Sequence, residues 1–359
     1  MKDIGSVTIT TPTKPTAAKV IHHEFNMVRA CACLSIVFLH SMFFLPNTVP
    51  EGSRDYFDLV RVLLCFATPA FVMLSEALIA RSYSEKLPEK FLSKRLKFIL
   101  APFIAFAFIS ELVKVVVVGE PFDPERLKRY LMGEYHGWFV VVIVQFYILH
   151  MVIVKLKLSQ LSIILLSLAI CYVHYKYITP HVDHRDFKFY VSTWAAFFCC
   201  GYFIGRHYKH VIQFIRDNKA LTHGVVLVGV GISAINFFYD GKEVHSKLFE
   251  NIPLTISLFC MFLLYGLRFG DYWWVQTVSR SSYGVYLAHW PIIIIYTTYL
   301  PIDNLVYWQS VPLLFLMTIV TSLVFIRVFN KVPFGDYIVG KDNYRAPKKQ
   351  TAQLAQLAK

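Results

Sequence analysis

The sequence predicts an all-α integral membrane protein with about ten transmembrane helices. Hydrophobic residues make up 56% of the 359 residues, and charged residues only 16%. The mean hydropathy is +0.50. The charges cluster between long apolar runs, whereas a soluble domain of this length carries charges throughout. Each run holds about 20 residues, enough to cross a bilayer core of roughly 30 Å, so we expect a multi-pass protein of the cell membrane.

The first predicted span, residues 27–46, contains two ionisable groups, Arg29 and His40. They are 11 residues apart, so at ~100° per residue they lie within about 20° of each other on one helix face. The helical rise puts His40 about 16 Å beyond Arg29, close to mid-membrane. Ionisable groups at that depth usually face a protein interior or a wet cavity and are functional. The alternative is that Arg29 extends to the headgroups and His40 makes one interhelical hydrogen bond.

Nine further spans follow along the chain. Pro69 is expected to kink the first of these. We predict a flexible cytoplasmic tail over 1–26, a transmembrane domain over 27–329 and a basic cytoplasmic tail over 330–359. The nine spans are 57–80, 98–118, 137–155, 159–178, 190–208, 221–240, 250–269, 280–300 and 307–329.

The distribution of Lys and Arg predicts that both termini are cytoplasmic. With the N-terminus inside, 25 of the 36 basic residues fall in inner segments, 8 in outer loops and 3 within spans. Topology therefore accounts for the net charge of +13, and no nucleic-acid partner is expected. The seven cysteines lie in apolar runs without ligand spacing, so we predict no disulfide framework and no metal site.

The inner loop over 81–97 is rich in basic residues. Lys94, Arg95 and Lys97 lie together at the mouth of the third helix. One interpretation is a topology determinant that lies against anionic lipid. The other is an anion site for a phosphorylated cytosolic molecule.

The ninth span contains a second buried histidine. His289 lies nine residues after Arg280, about 14 Å into a helix that runs in the same direction as the first. The two histidines are therefore predicted at matched depth, which favours a shared role. Tyr286 lies three residues before His289 on a neighbouring face.

Together these segments resemble the acyltransferase-3 family of membrane-bound, ten-span enzymes that acylate sugars and polysaccharides. The resemblance covers about residues 24 to 329. The motifs that carry it are Arg29-x10-His40, the segment at Ser75, the basic residues before Pro102, Trp138-Phe139, and Tyr283-Gly-Val-Tyr-Leu-Ala-His289.

The resemblance implies transfer of an acyl group, most simply acetyl, from cytoplasmic acyl-CoA to a hydroxyl of a glycan or lipid-linked sugar. His40 then becomes the catalytic base or an acyl-accepting histidine, and Arg29 contacts the donor. The CoA phosphates are expected at Lys94, Arg95 and Lys97. Acyl-CoA is a co-substrate and no bound cofactor is implied. The implied partners are the sugar or polysaccharide acceptor, the lipid bilayer and the machinery of polysaccharide synthesis.

The acceptor path is expected to include Glu76, Trp138, Tyr286 and His289. Two positions depart from the family pattern. Glu76 follows Ser75 where the family usually has glycine, and Lys94-Arg95-Leu96-Lys97 replaces an Arg-x-x-Arg pattern. A lysine keeps the charge but loses the bidentate geometry of arginine.

Two other classes of function are compatible with the same residues. One is an exporter or flippase that moves a glycan through the polar core, and it needs no acyl donor. The other is a non-catalytic membrane partner in a polysaccharide-synthesis complex, for which loss of His40 and Arg29 leaves the surface polymer chemically unchanged.

Overall fold

The computed structural model describes residues 23–182, 186–239, 244–246 and 251–341. Throughout these ranges the regular structure is helical, with no β-strand. The tails predicted over 1–26 and 330–359 lie mainly outside the described residues, since only 23–26 and 330–341 of them are included. Of these residues, His23 directly precedes the first helix and 24–26 belong to it.

The described ranges contain fourteen α-helices. The first seven are α1 (Glu24–Phe43), α2 (Arg54–Leu64), α3 (Ala67–Tyr83), α4 (Phe91–Val116), α5 (Pro124–Leu131), α6 (Phe139–Leu156) and α7 (Gln160–Val173). The other seven are α8 (Val191–Arg206), α9 (Tyr208–Asp217), α10 (Lys219–Tyr239), α11 (Asn251–Phe269), α12 (Trp273–Tyr299), α13 (Tyr307–Phe329) and α14 (Asp336–Val339).

Eight helical segments of the described chain are long and apolar enough to cross a membrane. They contain α1, α2 with α3, α4, α5 with α6, α7, α10, α11 and α13. The remaining two predicted spans are also helices: α8 is short, with 16 residues, and α12 has 27 residues that include many polar ones. The prediction of an all-α integral membrane protein is confirmed.

Helix α1 packs in parallel against α12. The Arg29 guanidinium donates to Ser279 near the start of both helices, and the Cys33 thiol donates to the Ser282 carbonyl further along. Seven residues beyond Cys33 on α1 and seven beyond Ser282 on α12, His40 contacts His289. Equal spacing along two helices requires that they run in the same direction, so the prediction of matched depth for the two histidines is confirmed.

The ends of α1 differ from the prediction. The helix covers Glu24–Phe43, three residues earlier than the expected 27–46, so His40 lies in its last turn and not at its middle. Pro46 explains the early end, because the residue before a proline is disfavoured in helical geometry, and Leu45 has left it with φ −122°. The separation of 11 residues from Arg29 to His40 on one helix is retained.

The second predicted span is interrupted between α2 and α3. Helix α2 ends at Leu64, and α3 begins at Ala67 with Pro69 in its first turn. Proline has no backbone N–H with which to bond the carbonyl of Cys65, four residues before it. The expected kink at Pro69 is therefore, in the structure, a break in the helix just before the proline.

Helices α3 and α8 pack closely through two glycines. A Cβ at Gly201 would lie 2.5 Å from the Met73 carbonyl oxygen, and one at Gly205 would lie 2.3 Å from that of Ala77. Gly201 and Gly205 are four residues apart on α8, and Met73 and Ala77 are four residues apart on α3. The two glycines therefore pack against one stretch of α3 backbone. This is the close approach that Gly-x-x-x-Gly permits in membrane helices.

Substitution Gly205→Ala is therefore expected to destabilise the protein by about 1–3 kcal/mol, because the new methyl group forces α3 and α8 apart. The matched control is Gly224→Ala, since no atom lies within 4 Å of a Cβ at Gly224. There the gain in helix propensity is expected to be about 0.5–1 kcal/mol. Thermal unfolding of the detergent-solubilised proteins measures both changes, and equal melting temperatures for the two variants would contradict the close packing.

The described start of the predicted C-terminal tail packs on the helices. Val339 of α14 is 1% exposed, and its carbonyl oxygen would lie 2.6 Å from a Cβ at Gly284 of α12. The Lys341 ammonium lies 5.1 Å from the centre of the Phe98 ring of α4. Residues 336–341 therefore belong to the folded domain.

Candidate functional site

A continuous cavity of about 1980 Å³ extends through the helix bundle. Its lining begins beside the first turns of α1 with Asn26 and Arg29 and continues to His40, Phe43 and Phe44 beyond its end. At 1.5 Å per residue, the 20 residues of α1 are about 30 Å long, which is the thickness of a bilayer core. The cavity therefore has the length needed to cross a membrane.

The two ends of the cavity differ in character. Helices α1, α4 and α12 all begin at one end. Tyr283 of α12 donates to the Ile99 carbonyl of α4, and four residues further along both helices Phe103 and Leu287 meet the adjacent Tyr135 and His136, so α4 is parallel to α12. We call this end the basic mouth, defined by Arg81, Lys94, Arg95, Arg280 and Lys341. The opposite mouth, where the three helices end, is lined by Lys114, Val118, Thr297 and Thr298.

Arg29, Lys94 and Arg95 line the cavity and lack a carboxylate partner among the described residues. The Arg29 guanidinium donates to the neutral Ser279 hydroxyl at 3.2 Å, and Ser279 in turn donates to the Asn26 side chain at 3.0 Å. A cation inside a protein ordinarily has a counter-ion. Arg29 and Arg95 are partly buried and therefore form a site that an anionic ligand would complete, with the exposed Lys94 next to Arg95 at the mouth.

Arg95 is held by aromatic rings. Its guanidinium carbon lies 4.0 Å from the centre of the Phe91 ring, 5.2 Å from that of Tyr83 and 5.6 Å from that of Tyr147. Such faces attract a cation without neutralising it. Arg95 is thus oriented by its neighbours while its charge remains available to a ligand.

Lys97 does not join the cavity. Its ammonium lies over the Tyr337 ring at 5.1 Å, and the side chain is exposed. Side chains two positions apart on a helix differ in direction by about 200°, so Arg95 and Lys97 point to nearly opposite sides of α4. The structure therefore brings Lys94 and Arg95 to the predicted anion site, but not Lys97.

His40 and His289 meet at the centre of the site. Nδ1 of His40 lies 2.8 Å from Nε2 of His289. His40 is half-buried and lines the cavity, whereas His289 is 0% exposed and lies behind it. His289 is not among the described residues that line the cavity, so the structure does not bring it to the predicted acceptor path.

The hydrogen bonds define the tautomers of the neutral pair. Nδ1 of His289 lies 3.1 Å from the Val285 carbonyl oxygen, which can only accept, so this nitrogen carries the proton. Nε2 of His289 must then accept, and Nδ1 of His40 must donate. The lone pair of His40 is left on Nε2, which has no hydrogen-bond partner in the described part of the chain. His40 therefore offers a basic nitrogen on a cavity-lining side chain.

Tyr286 and Trp138 both line the cavity, as predicted. The Tyr286 hydroxyl donates to the His136 carbonyl and accepts from the Phe139 backbone N–H, which joins α12 to the start of α6. The Trp138 ring stacks on Trp194 at 5.7 Å. These contacts fix the wall of the cavity beside the histidines.

Glu76 is turned away from the cavity. Ser75 lines it, but the Glu76 carboxylate is 1% exposed and lies 2.7 Å from Nδ1 of His150 on α6. The other nitrogen of His150 lies 3.3 Å from the Tyr83 carbonyl. Glu76 therefore stabilises the contact of α3 with α6, and the structure does not place it on the predicted acceptor path.

Three cavity residues near His40 were not predicted from the sequence: His136, Trp290 and Arg61. The His136 ring is 5.8 Å from that of His289, and Nε2 of His136 contacts the Leu287 carbonyl at 2.8 Å. Trp290 lies between the histidines, with its ring centre 5.1 Å from His40 and 5.9 Å from His136. Together they form an aromatic and imidazole wall around the basic nitrogen.

Arg61 provides a positive charge at this part of the cavity. Its Nη1 donates to Asp58 at 2.7 Å, but the buried Nε has no hydrogen-bond partner in the described residues. The guanidinium lies 5.9 Å from the Phe43 ring, which in turn contacts Trp290. Arg61 therefore adds a guanidinium, ion-paired with Asp58, to the cavity wall near His40.

A family profile described as "Acyltransferase domain" matches residues 22–327 of the chain. Curated proteins also match over nearly their whole length. The "Putative membrane-bound acyltransferase YfiQ" of Bacillus subtilis is 27% identical over 353 residues, which cover 92% of this chain and 98% of that protein.

Two further relatives carry the name "Probable poly-beta-1,6-N-acetyl-D-glucosamine export protein". The one from Staphylococcus aureus strain N315 is 25% identical over 354 residues, covering 91% of this chain and 98% of the relative. The one from Staphylococcus epidermidis is 24% identical over 350 residues, covering 90% and 95%. No solved structure matches the chain.

Proposed function

The chain belongs to the acyltransferase-3 family, whose profile covers most of its length, and on this premise we propose that it transfers an acyl group from acyl-CoA to a sugar hydroxyl. The observation that carries the proposal is one cavity that connects unpaired cations at one end with the free Nε2 of His40 further inside. An anionic donor and a base are the two parts that this reaction needs.

The donor is proposed to enter at the basic mouth, with the CoA phosphates on Lys94 and Arg95. Arginine and lysine bind phosphate through charge-assisted hydrogen bonds. The pantetheine arm then follows the cavity past Arg29 toward His40, about 16 Å further along α1. The excess of basic residues in the loops at this end supports a cytoplasmic location for the basic mouth and for both termini.

His40 is proposed to act as the general base. As the acceptor hydroxyl attacks the thioester carbonyl, its proton passes to Nε2 of His40, and a carbon–oxygen bond forms. The tetrahedral intermediate then breaks its carbon–sulfur bond, and the same proton goes to the departing CoA sulfur. Arg61 is proposed to stabilise the negative charge on the carbonyl oxygen between the two steps.

The role of Arg61 predicts a selective loss of turnover. Arg61→Gln is expected to lower kcat by about 10²–10³-fold, as loss of an oxyanion donor does, with little change in the KM for the acyl donor. Lys128→Gln serves as the control, because Lys128 is an exposed cation outside the cavity. Steady-state release of CoA measures both variants, and a kcat for Arg61→Gln equal to that of Lys128→Gln would contradict the assignment.

The acceptor is proposed to be a sugar or polysaccharide that enters from the opposite mouth. The names of the staphylococcal relatives support a poly-N-acetylglucosamine chain. The rings of Trp138, Tyr286 and Trp290 offer the flat apolar faces on which sugar rings pack. A surface polymer of this kind would place the protein beside the machinery of polysaccharide synthesis.

The test is an assay of the purified, reconstituted protein with radiolabelled acetyl-CoA and poly-N-acetylglucosamine oligomers. Release of CoA together with label on the oligomer is the expected result. Acetyl-CoA that is neither bound nor consumed in the presence of the acceptor would contradict the proposal.

A glycan exporter is the second candidate, because the cavity has the length of a membrane and two relatives are named as export proteins. An exporter would move oligomers across proteoliposomes without an acyl donor. Transport of unmodified oligomers, in the absence of acetyl-CoA, would therefore favour this candidate, whereas donor-dependent labelling favours the acyltransferase.

A further inference from the structure

We propose that His289 is a proton-sharing partner of His40: it takes the Nδ1 proton of His40 while His40 holds the proton of the acceptor hydroxyl. The proposal rests on the acyltransferase function given above and adds a positioning residue that acts through the base. His289 itself touches no part of the cavity.

The two imidazoles are arranged end to end. Their ring centres are 5.0 Å apart, and their planes differ by only 8°. The bonded nitrogens are 2.8 Å apart. The distance between the ring centres is therefore longer than the distance between the nitrogens by about one ring diameter. Both nitrogens must therefore lie close to the line that joins the two centres. The rings are coplanar and share a nearly straight N–H···N hydrogen bond, which is the geometry that favours proton transfer.

The second nitrogen of His289 is prepared for a positive charge. Nδ1 donates to the Val285 carbonyl, an acceptor on the same helix. A hydrogen bond of this kind is compatible with the neutral ring and becomes stronger when the ring is charged. When His289 receives a proton at Nε2, both of its nitrogens are donors, and each already faces an acceptor.

Among the described residues, no carboxylate contacts either imidazole, and the nearby Asp58 is bonded to Arg61. The other groups around the pair are the rings of His136, Tyr286 and Trp290 and the guanidinium of Arg61. In a serine protease an aspartate stabilises the charged histidine. The imidazolium and the oxyanion of the tetrahedral intermediate form together, and a second ring offers the means to spread the positive charge over both imidazoles. It also moves the charge to the ring behind His40, away from the cavity that Arg61 lines.

The proton steps balance. The acceptor proton goes to Nε2 of His40 as the new carbon–oxygen bond forms, and the Nδ1 proton of His40 moves to Nε2 of His289. When the carbon–sulfur bond breaks, the proton on His289 returns to Nδ1 of His40, and the proton on Nε2 goes to the CoA sulfur. The net change is one acyl group moved from sulfur to oxygen and one proton moved from oxygen to sulfur.

The test compares His289→Gln and His289→Leu with the wild type. The Gln side-chain oxygen can accept the hydrogen bond from His40 and keep its orientation, but it cannot take a proton. We expect kcat for His289→Gln to fall by about 10²-fold, as for the loss of one proton-transfer group. The KM for acetyl-CoA is expected to remain within about twofold, because His289 does not contact the donor. His289→Leu loses both orientation and proton sharing and is expected to fall further.

Wild-type kcat in His289→Gln would overturn the proposal, because orientation alone would then account for His289. The control is His174→Gln, another buried histidine that lies outside the cavity and contacts Ser192. Each variant is compared only after its gel-filtration profile and thermal unfolding match the wild type.

A second measurement needs no variant. Single-turnover rates of the wild type in mixtures of H₂O and D₂O are expected to depend on deuterium content along a curve, because two protons move in one step. A straight line would overturn the proposal. If His40→Ala loses turnover but the wild type gives a straight line, the acyltransferase function stands and the proposal for His289 fails. If His40→Ala keeps full turnover, the function on which this proposal rests is removed.

Discussion

Replacing His40 with alanine is expected to abolish most acyl transfer, with kcat lowered by about 10²–10⁴-fold. The ring provides the free Nε2 that is placed to take the acceptor proton. Binding of acetyl-CoA is expected to be unchanged, because the phosphates are held at the basic mouth. Equilibrium binding and CoA release measure the two effects separately.

Ser41→Ala is the matched control for His40→Ala. Ser41 is the next residue of α1, is fully buried and bonds the Val37 carbonyl, but it does not line the cavity. Its variant is expected to keep the wild-type kcat. If His40→Ala inserts and folds like Ser41→Ala and still turns over at the wild-type rate, the assignment of His40 as the base is wrong.

Replacing Arg95 with glutamine is expected to raise the KM for the acyl donor by about 10–100-fold, because a hydrogen bond to a charged group contributes about 1.5–3 kcal/mol. The kcat at saturating donor is expected to stay near the wild-type value, since Arg95 lies far from the reacting carbonyl. Lys97→Gln removes the same charge from the same helix on the side away from the cavity.

Lys97→Gln is expected to change the KM by less than about threefold, as for an exposed charge. The comparison separates a specific phosphate site from a general attraction of the basic surface. Equal effects of Arg95→Gln and Lys97→Gln that both disappear at high salt would contradict a specific donor site at the basic mouth.

Much of the fold was predictable, because hydropathy determines which segments enter a bilayer. Each predicted span is helical in the structure. The positions of helix ends were less predictable. Pro46 and Pro69 act on residues before them, which moved the end of α1 and divided the second span.

The site residues were predictable where they lie on a single helix. Arg29 and His40 share a cavity because their spacing is fixed by a single helix, and His289 contacts His40 because the two helices run in parallel. Helical phase also separates Arg95 from Lys97, a signal that was present in the sequence.

Contacts between distant segments were not predictable. The sequence gives no indication that His136, in a short turn before α6, reaches Leu287 of α12. Nor does it indicate that Glu76 pairs with His150, which turns the carboxylate away from the cavity. Both contacts depend on the rotation and tilt of helices, which hydropathy leaves undetermined.

The position of a bound, non-transferable acetyl-CoA analogue tests the central claim most directly. Cryo-electron microscopy of the reconstituted protein with the analogue is expected to show its phosphates on Lys94 and Arg95. The acyl carbonyl is expected beside His40, with room for a hydroxyl about 3 Å from Nε2. An analogue that binds at the opposite mouth, or outside the cavity with its acyl group remote from His40, would contradict the account.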